Sequence, residues 1–298
     1  MARRAWCWVA LGATLILAEQ AEGQSPQVTF LDQGWPADIR EAFYFTPQES
    51  RLIPLDWLLA LEAEDGGRFA DLANLARYGF IAPDGASALN PGGLPIGFAL
   101  QPRANATVQY EALAAEPRRS VGDEQLVGLT CAACHTAEIT IEGKRLRIDG
   151  GPANLDFDRF YADLAATVTR TLFEAGAYGR FAQRVLGADA PPTAAAELRL
   201  RFADVEARLA GDAVLRHPAL ASGFGRVDAL TQIINALAVV AQGEPQNLRA
   251  VAAPTSYPHL WLTPELEFVQ WNPIAASPIE PTCIGRDSKR GSVANSLV

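Results

Sequence analysis

The feature that most constrains this chain is the pentapeptide Cys131-Ala-Ala-Cys134-His135, in which an imidazole directly follows the second of two closely spaced thiols. On a helical turn, side chains at positions i and i+3 lie on one face, so both thiols can reach the same partner. Three partners are compatible with this spacing: a covalently attached haem, a zinc ion, or a second thiol in a redox pair. The rest of the sequence is needed to choose among them.

The N-terminus indicates the compartment in which these cysteines work. Arg3 and Arg4 precede an apolar run of about 14 residues, Ala5 to Ala18, which is followed by small and polar residues. This is the pattern of a secretory signal peptide over residues 1–23. The run is shorter than the ~20 residues of a membrane-spanning helix, and the alternative is an uncleaved N-terminal anchor. We expect an exported bacterial protein, periplasmic or secreted, with no membrane span after signal removal.

Charge and composition exclude some classes of partner. Removing residues 1–23 takes away two basic and two acidic side chains, so the net charge stays at −9. An acidic surface argues against binding to nucleic acid or to anionic lipid, and it is compatible with a basic redox partner protein. With 49% apolar and 20% charged residues, the chain is expected to be globular.

The cysteine count favours haem. After the signal peptide the chain has Cys131, Cys134 and Cys283, whereas a small protein held by disulfides would show a denser and even set. Zinc would need two further ligands, and a thioredoxin-type dithiol would follow a βαβ opening that this sequence lacks. In the haem reading, each thiol adds to one vinyl group and His135 coordinates the iron. The sequence therefore predicts one covalent haem c, held by Cys131 and Cys134 with His135 as axial ligand.

The sixth position of the iron stays open to three interpretations. Met1 is the only methionine, so a His/Met iron of the simple electron-carrier type is excluded within this chain. The remaining ligands are His259 and His217, each of which can equally be a surface or packing residue. The third possibility is an open or water-filled position, which catalysis on dioxygen or peroxide requires.

Hydrophobic periodicity predicts a mostly helical chain. Residues 36–62 and 68–80 show apolar residues at helical spacing. Further helices are predicted at 156–175, 178–186, 193–210 and 226–242.

The region around the pentapeptide is predicted to be less regular. Residues 82–104 are rich in Gly and Pro and are expected to form an irregular loop. A short helix from Glu124 to His135 is expected to carry the motif. After it, apolar and polar residues alternate on both sides of Glu142-Gly143-Lys144, which predicts a β-hairpin.

Six segments give the chain a wider resemblance. It resembles the di-haem c-type cytochromes of the bacterial cytochrome c peroxidase superfamily, in particular the branch related to rubber oxygenase. The segments are YFTPQESRLIPLDWLLALE (44–62), RYGFIAPDGASALNPGGLPIGFA (77–99), VGLTCAACHTAEI (127–139), IDGGPANLDFDRF (148–160), GFGRVDALTQIIN (223–235) and APTSYPHLWLTPELEFVQWN (253–272).

The resemblance implies a fold and a set of site residues. It implies a mainly α protein: a cytochrome c-like haem domain with additional helices, a small β-hairpin after the haem motif and long irregular loops. Trp261 is expected at the haem edge or on an electron path, with a large core aromatic as the alternative. Arg226 is expected to bind a haem propionate, because a guanidinium matches a carboxylate in bidentate fashion.

The chain departs from this family in one respect. The family has a second C-x-x-C-H, but here Cys283 is followed by Ile-Gly-Arg-Asp and cannot tether a haem. We therefore expect a truncated chain that keeps the N-terminal haem half. Its predicted parts are a signal peptide (1–23), a haem c domain (24–272) and a divergent, disordered tail (273–298).

The resemblance also implies a function. We expect a haem redox enzyme of peroxidase or oxygenase type, whose partners are a small redox protein or a small oxidant, either peroxide or dioxygen. The alternative is a non-catalytic electron-transfer cytochrome with a bis-histidine haem.

Overall fold

A computed structural model of the chain describes residues 28–31, 33–48, 50–102, 125–216, 218–262, 268–269 and 275–276. Four subjects of the sequence predictions lie outside these residues: the signal peptide, His217, Cys283 and all of the predicted tail except 275–276. Within the described residues, no helix is both long and apolar enough to cross a membrane.

The described elements alternate between helices and short strands. The α-helices are α1 (Ala37–Phe45), α2 (Leu55–Ala60), α3 (Leu72–Ala76), α4 (Cys131–Cys134), α5 (Phe157–Phe173), α6 (Ala177–Leu186), α7 (Pro192–Arg216) and α8 (Ala229–Asn235). A π-helical segment, Ala236–Ala241, continues α8, and a 3₁₀ turn covers Pro245–Asn247. The strands are β1 (Val28–Phe30), β2 (Ile53–Pro54), β3 (Phe98–Pro102), β4 (Gln125–Leu129), β5 (Thr136–Ile141), β6 (Lys144–Asp149), β7 (Arg226–Val227), β8 (Thr255–Ser256), β9 (Phe268–Val269) and β10 (Ala275–Ala276).

The prediction of a mainly α, cytochrome c-like fold is wrong. The structure is a mixed α/β fold with 44% helix and 16% strand. The short helix predicted from Glu124 to His135 is one reason, because residues 125–129 of it form the strand β4 and only the turn Cys131–Cys134 is helical. This strand pairs antiparallel with β2 on one side and β3 on the other. The partner strand β3 in turn occupies residues 98–102 of the predicted irregular loop.

The position of β4 explains why its sequence was misleading. Leu126 and Val127 are both buried, so this central strand is covered on both faces and shows no alternation of apolar and polar residues. A short apolar run of this kind cannot be told from a buried helical turn by periodicity. Gly128 is required here, since a Cβ at this position would lie 1.8 Å from the Ser50 carbonyl oxygen.

The hairpin after the pentapeptide is present, as predicted. Strands β5 and β6 pair antiparallel from Thr136 opposite Asp149 to Ile141 opposite Lys144. Glu142 and Gly143 at its tip have φ of 50° and 76°, which is typical of a two-residue turn that follows the right-handed twist of the strands. Strand β1 adds to β6 in parallel and completes a three-stranded sheet.

The four long helices lie close to their predicted positions. Helix α5 packs against α6 and α7, and Asp156 caps its N-terminus by accepting a hydrogen bond from the Arg159 amide. Helix α7 continues to Arg216, beyond the predicted end, and α8 starts three residues later than predicted. The main core lies between α2, α5, α6 and α7, where the Trp57 ring is 5.5 Å from Phe202 and 6.1 Å from Phe181.

A surface ion-pair cluster joins α6 to the chain after α2 and gives a first testable prediction. Glu62 accepts hydrogen bonds from Arg180, at 2.7 Å, and from Arg184. These bonds lower the pKa of Glu62 to about 2. We expect Glu62→Gln to reduce the free energy of unfolding at pH 7 by about 1 kcal/mol, the upper end for pairs in contact with solvent.

The effect should depend on pH in one direction. The folded-state pKa lies below the value of 4.5 for an unperturbed Glu, so the stabilisation is present above about pH 4.5 and is lost as the pH falls toward 2. Urea unfolding of the wild type and the variant at pH 7 and pH 2.5 measures this. The control is Glu174→Gln, an exposed residue 4.0 Å from Arg170. A difference that stays the same at both pH values would contradict the prediction.

Candidate functional site

The pentapeptide forms a single helical turn between two strands. Strand β4 leads into it and β5 leaves it, so α4 is fixed at both ends. Thr130 caps the turn: its hydroxyl oxygen accepts from the Ala132 amide at 3.2 Å and donates to the Tyr44 carbonyl at 3.1 Å. The His135 amide closes the turn on the Cys131 carbonyl at 2.9 Å. The sequence therefore places the imidazole directly after a capped turn that carries both cysteines.

Gly97 supports this turn from below. Its carbonyl accepts a hydrogen bond from the Thr130 amide at 2.8 Å. Its φ of +91° is a backbone conformation that residues with a Cβ rarely adopt. A Cβ at this position would lie 2.4 Å from Ala133 Cα and 2.5 Å from Ala133 N. The backbone before β3 therefore lies flat against α4, and only glycine permits this approach.

His135 is buried and held in one tautomer. Its side chain is 3% exposed, and Nδ1 lies 2.8 Å from the carbonyl oxygen of Pro258. A carbonyl can only accept, so Nδ1 carries the proton and Nε2 keeps its lone pair. No described residue hydrogen-bonds to Nε2. Burial also lowers the pKa of His135, which favours the neutral imidazole.

Neither cysteine of the motif takes part in a disulfide bond. Cys131 is 1% exposed, and its amide and Sγ lie 3.0 and 3.1 Å from Gln48 Oε1. Burial raises the pKa of Cys131 to about 11 and that of Cys134 to about 12. A redox dithiol of the thioredoxin type has a lowered thiol pKa instead. The buried environment of Cys131 and Cys134 therefore differs from that of a reactive dithiol.

A segment from the far end of the described chain crosses over His135. The Tyr257 ring lies 6.5 Å from the imidazole ring, and its hydroxyl donates to the Leu155 carbonyl at 3.1 Å. Pro258 then supplies the carbonyl that meets Nδ1. The Leu260 amide donates to the Gly150 carbonyl at 2.8 Å, where β6 ends. Residues 257–261, the His135 strap, therefore join the motif to the end of the hairpin.

The structure places the predicted site residues in different relations to the motif. Trp261 lies on the strap and is 45% exposed, with Nε1 donating to the Asp149 carbonyl at 3.0 Å. His259 is exposed, and its ring centroid is 5.1 Å from that of Trp261. Arg226 is exposed in β7, which pairs with β8, and its guanidinium makes no ion pair with a described residue. Among the described residues, no group of three or more His, Cys, Asp or Glu side chains could hold a metal ion.

Sequence reasoning missed the buried network at the end of β6. Asp149, the last residue of this strand, is fully buried. Its carboxylate accepts from Arg40 Nε at 2.6 Å and from the Tyr44 hydroxyl. Burial and the neighbouring carboxylate both raise the pKa of Tyr44. The only available signal was an acidic residue before two glycines, which does not reveal partners more than a hundred residues away in the chain.

Comparison with known proteins gives one relative and no functional name. No protein-family model matches the chain, and no solved structure matches it. The chain is similar to the uncharacterized protein y4iJ of Sinorhizobium fredii (strain NBRC 101917 / NGR234), with 32% identity over 272 residues. The match covers 85% of this chain and 43% of that protein. The chain thus spans less than half the length of this relative.

Proposed function

We propose that the chain is the haem-binding part of an exported bacterial c-type cytochrome related to the di-haem cytochrome c peroxidase superfamily. Cys131 and Cys134 attach one haem c, and His135 coordinates its iron. The observation that carries the proposal is the hydrogen bond from His135 Nδ1 to the Pro258 carbonyl, because it leaves Nε2 as a ligand beside two thiols on one helical turn.

The residues present fit a haem group. A structural zinc ion takes four protein ligands, whereas haem iron is already held by its macrocycle and needs only an axial ligand from the protein. His135 supplies that ligand from a buried, single-tautomer position. The two thiols supply the covalent bonds, and their adjacent turn is rigid because Thr130 caps it and Gly97 lies against it.

When bound, the haem supplies an iron that can exchange electrons and bind a small oxidant. The chain's own residues set the properties of its axial ligand. The Pro258 carbonyl orients the imidazole and raises its basicity, as hydrogen-bond acceptors behind metal-ligating histidines generally do. Burial of His135 shields the imidazole end of this part-buried hydrogen bond.

We further propose that the protein is a redox enzyme of peroxidase or oxygenase type, acting on peroxide or dioxygen with a small redox protein as its partner. The position of His259 supports an open sixth position. This residue directly follows Pro258, whose carbonyl meets Nδ1, so its backbone lies behind the imidazole. The iron would bind at Nε2, on the other side of the ring. We therefore do not expect His259 to be a second ligand of the iron.

Covalent attachment is tested on the chain produced in a bacterial periplasm that contains haem-attachment machinery. We expect intact-protein mass spectrometry to show one added haem per chain, and the pyridine haemochrome spectrum to be that of haem c. The matched control is Cys131→Ala/Cys134→Ala, which should carry no covalent haem. A wild-type chain without covalent haem would overturn the proposal, and stoichiometric zinc in its place would favour a zinc site.

A further inference from the structure

We infer that Trp261 is a positioning residue that clamps the His135 strap and so controls the hydrogen bond behind the axial ligand. This inference rests on the proposed function, since its consequence is a property of a haem iron bound by His135. It differs from both sequence-based roles of Trp261, the electron path and the core aromatic. An indole that is 45% exposed is not a core side chain.

The strap is held at both of its ends. At one end, Pro258 O meets His135 Nδ1 at 2.8 Å. At the other, Trp261 Nε1 donates to the Asp149 carbonyl at 3.0 Å, and the Leu260 amide donates to Gly150 at 2.8 Å. Only two residues separate Pro258 from Trp261, so a shift of the indole is transmitted to the carbonyl over a short backbone path.

The surface that receives the indole is itself fixed. Asp149 is fully buried, and Arg40 and Tyr44 hold its carboxylate. The Arg40 guanidinium also lies over the Phe30 ring, 3.9 Å from its centroid. Because side chain and backbone of one residue move together, this network fixes the carbonyl to which Trp261 donates.

The contacts close into a ring that returns to the imidazole. Thr136, the neighbour of His135, pairs with Asp149 across the hairpin. From Asp149 the path continues through the Trp261 indole and along the strap to Pro258, which contacts His135 again. A closed set of contacts of this kind restrains the imidazole more strongly than the single hydrogen bond at Nδ1.

The contact between Trp261 and the Asp149 carbonyl also depends on the absence of a side chain at Gly150. Its φ is +71°, and a Cβ there would lie 3.1 Å from Trp261 Cδ1 and 3.3 Å from Trp261 Nε1. The missing side chain lets the indole rest on the turn that leaves β6. A larger residue at this position would displace the indole from the Asp149 carbonyl.

The clamp has a consequence for the iron. A firm N–H···O bond at Nδ1 makes the imidazole a better electron donor, which stabilises the oxidised iron and lowers its reduction potential. Loosening the strap weakens that bond and raises the potential. The clamp would therefore tune an iron held by His135 through the backbone of the strap.

The experiment compares reduction potentials of holoproteins by spectroelectrochemical titration. Trp261→Phe keeps an aromatic ring and removes the donor, and Gly150→Ala pushes the indole away. We expect both variants to shift the one-electron equilibrium toward the reduced form by up to tenfold, about 59 mV upward. The matched control is Gly143→Ala at the hairpin tip, with a similar φ of +76° and nothing within 4 Å of its Cβ. It should leave the potential unchanged.

A second measurement does not depend on the haem. Hydrogen exchange of the Leu260 amide should be faster in Trp261→Phe than in the wild type, because the strap loses the hydrogen bond from Trp261 Nε1 to the Asp149 carbonyl. If Gly150→Ala does not fold, Trp261→Phe alone decides. Wild-type potential and wild-type exchange in a haem-loaded Trp261→Phe would overturn the inference and leave the proposed function standing. A wild-type chain without covalent haem would remove the proposed function itself, so the two failures are distinguishable.

Discussion

Gly97→Ala is expected to reduce the free energy of unfolding by about 3–5 kcal/mol, from strained backbone and overpacking together. Gly97 has a φ of +91°, and the new Cβ would lie 2.4 Å from Ala133 Cα and 2.7 Å from Ala133 Cβ. Backbone atoms cannot rotate away as a flexible side chain can. Therefore either the helical turn that carries both cysteines or the strand that begins at Phe98 must move.

The control for this variant is Gly93→Ala, in the same loop region. Its φ is +62° and nothing lies within 4 Å of its Cβ, so only the cost of a left-handed alanine remains, about 1 kcal/mol. Urea unfolding followed by tryptophan fluorescence measures both variants. Equal losses of stability in the two would show that contact with α4 contributes nothing. We also expect the yield of covalent haem to fall in Gly97→Ala and to be kept in Gly93→Ala.

The sequence predicted those parts of the fold that depend on local patterns. The hairpin followed from alternation around Glu142 and Gly143, and the helices α5 to α8 followed from a 3.6-residue period. Strand β4 was missed because its identity depends on distant partners. Val127 pairs with Ile53 on one side and Leu100 on the other, and nothing in the residues next to Val127 encodes either pairing. This is one reason why the predicted fold class was wrong.

The same distinction applies to the site. Cys131, Cys134 and His135 could be proposed from the sequence because they are neighbours in the chain, and their role as haem ligands stays a prediction. The residues behind them could not. Pro258 lies 123 positions from His135 and contributes only a backbone carbonyl, which no residue type reveals. The roles predicted for His259 and Arg226 depend on a haem group and stay predictions.

His135→Gly is expected to remove the axial imidazole while leaving covalent attachment through Cys131 and Cys134. Mutation of a residue that only supports a metal ligand lowers metal affinity or activity about 10–100-fold. Loss of the ligand itself should therefore have a larger effect, about 100-fold or more, and should remove the spectral signature of axial imidazole. The ferric absorption and electron paramagnetic resonance spectra report the loss. His135 is 3% exposed, so the removed side chain leaves an enclosed space in which we expect added imidazole to bind, with Pro258 O as its acceptor. We expect added imidazole to restore the wild-type spectrum.

His259→Gly is the matched control, and it distinguishes the proposed redox enzyme from the alternative of an electron-transfer cytochrome with a bis-histidine haem. Because His259 directly follows the Pro258 carbonyl that meets His135 Nδ1, we expect the wild type to be high-spin and His259→Gly to leave its spectrum unchanged. A low-spin wild type that becomes high-spin in His259→Gly would instead identify His259 as the sixth ligand and favour the electron carrier. Failure of imidazole to restore the His135→Gly spectrum would contradict the assignment of His135 itself. The two variants together thus test both candidate axial ligands, His135 and His259, with one kind of spectroscopic measurement.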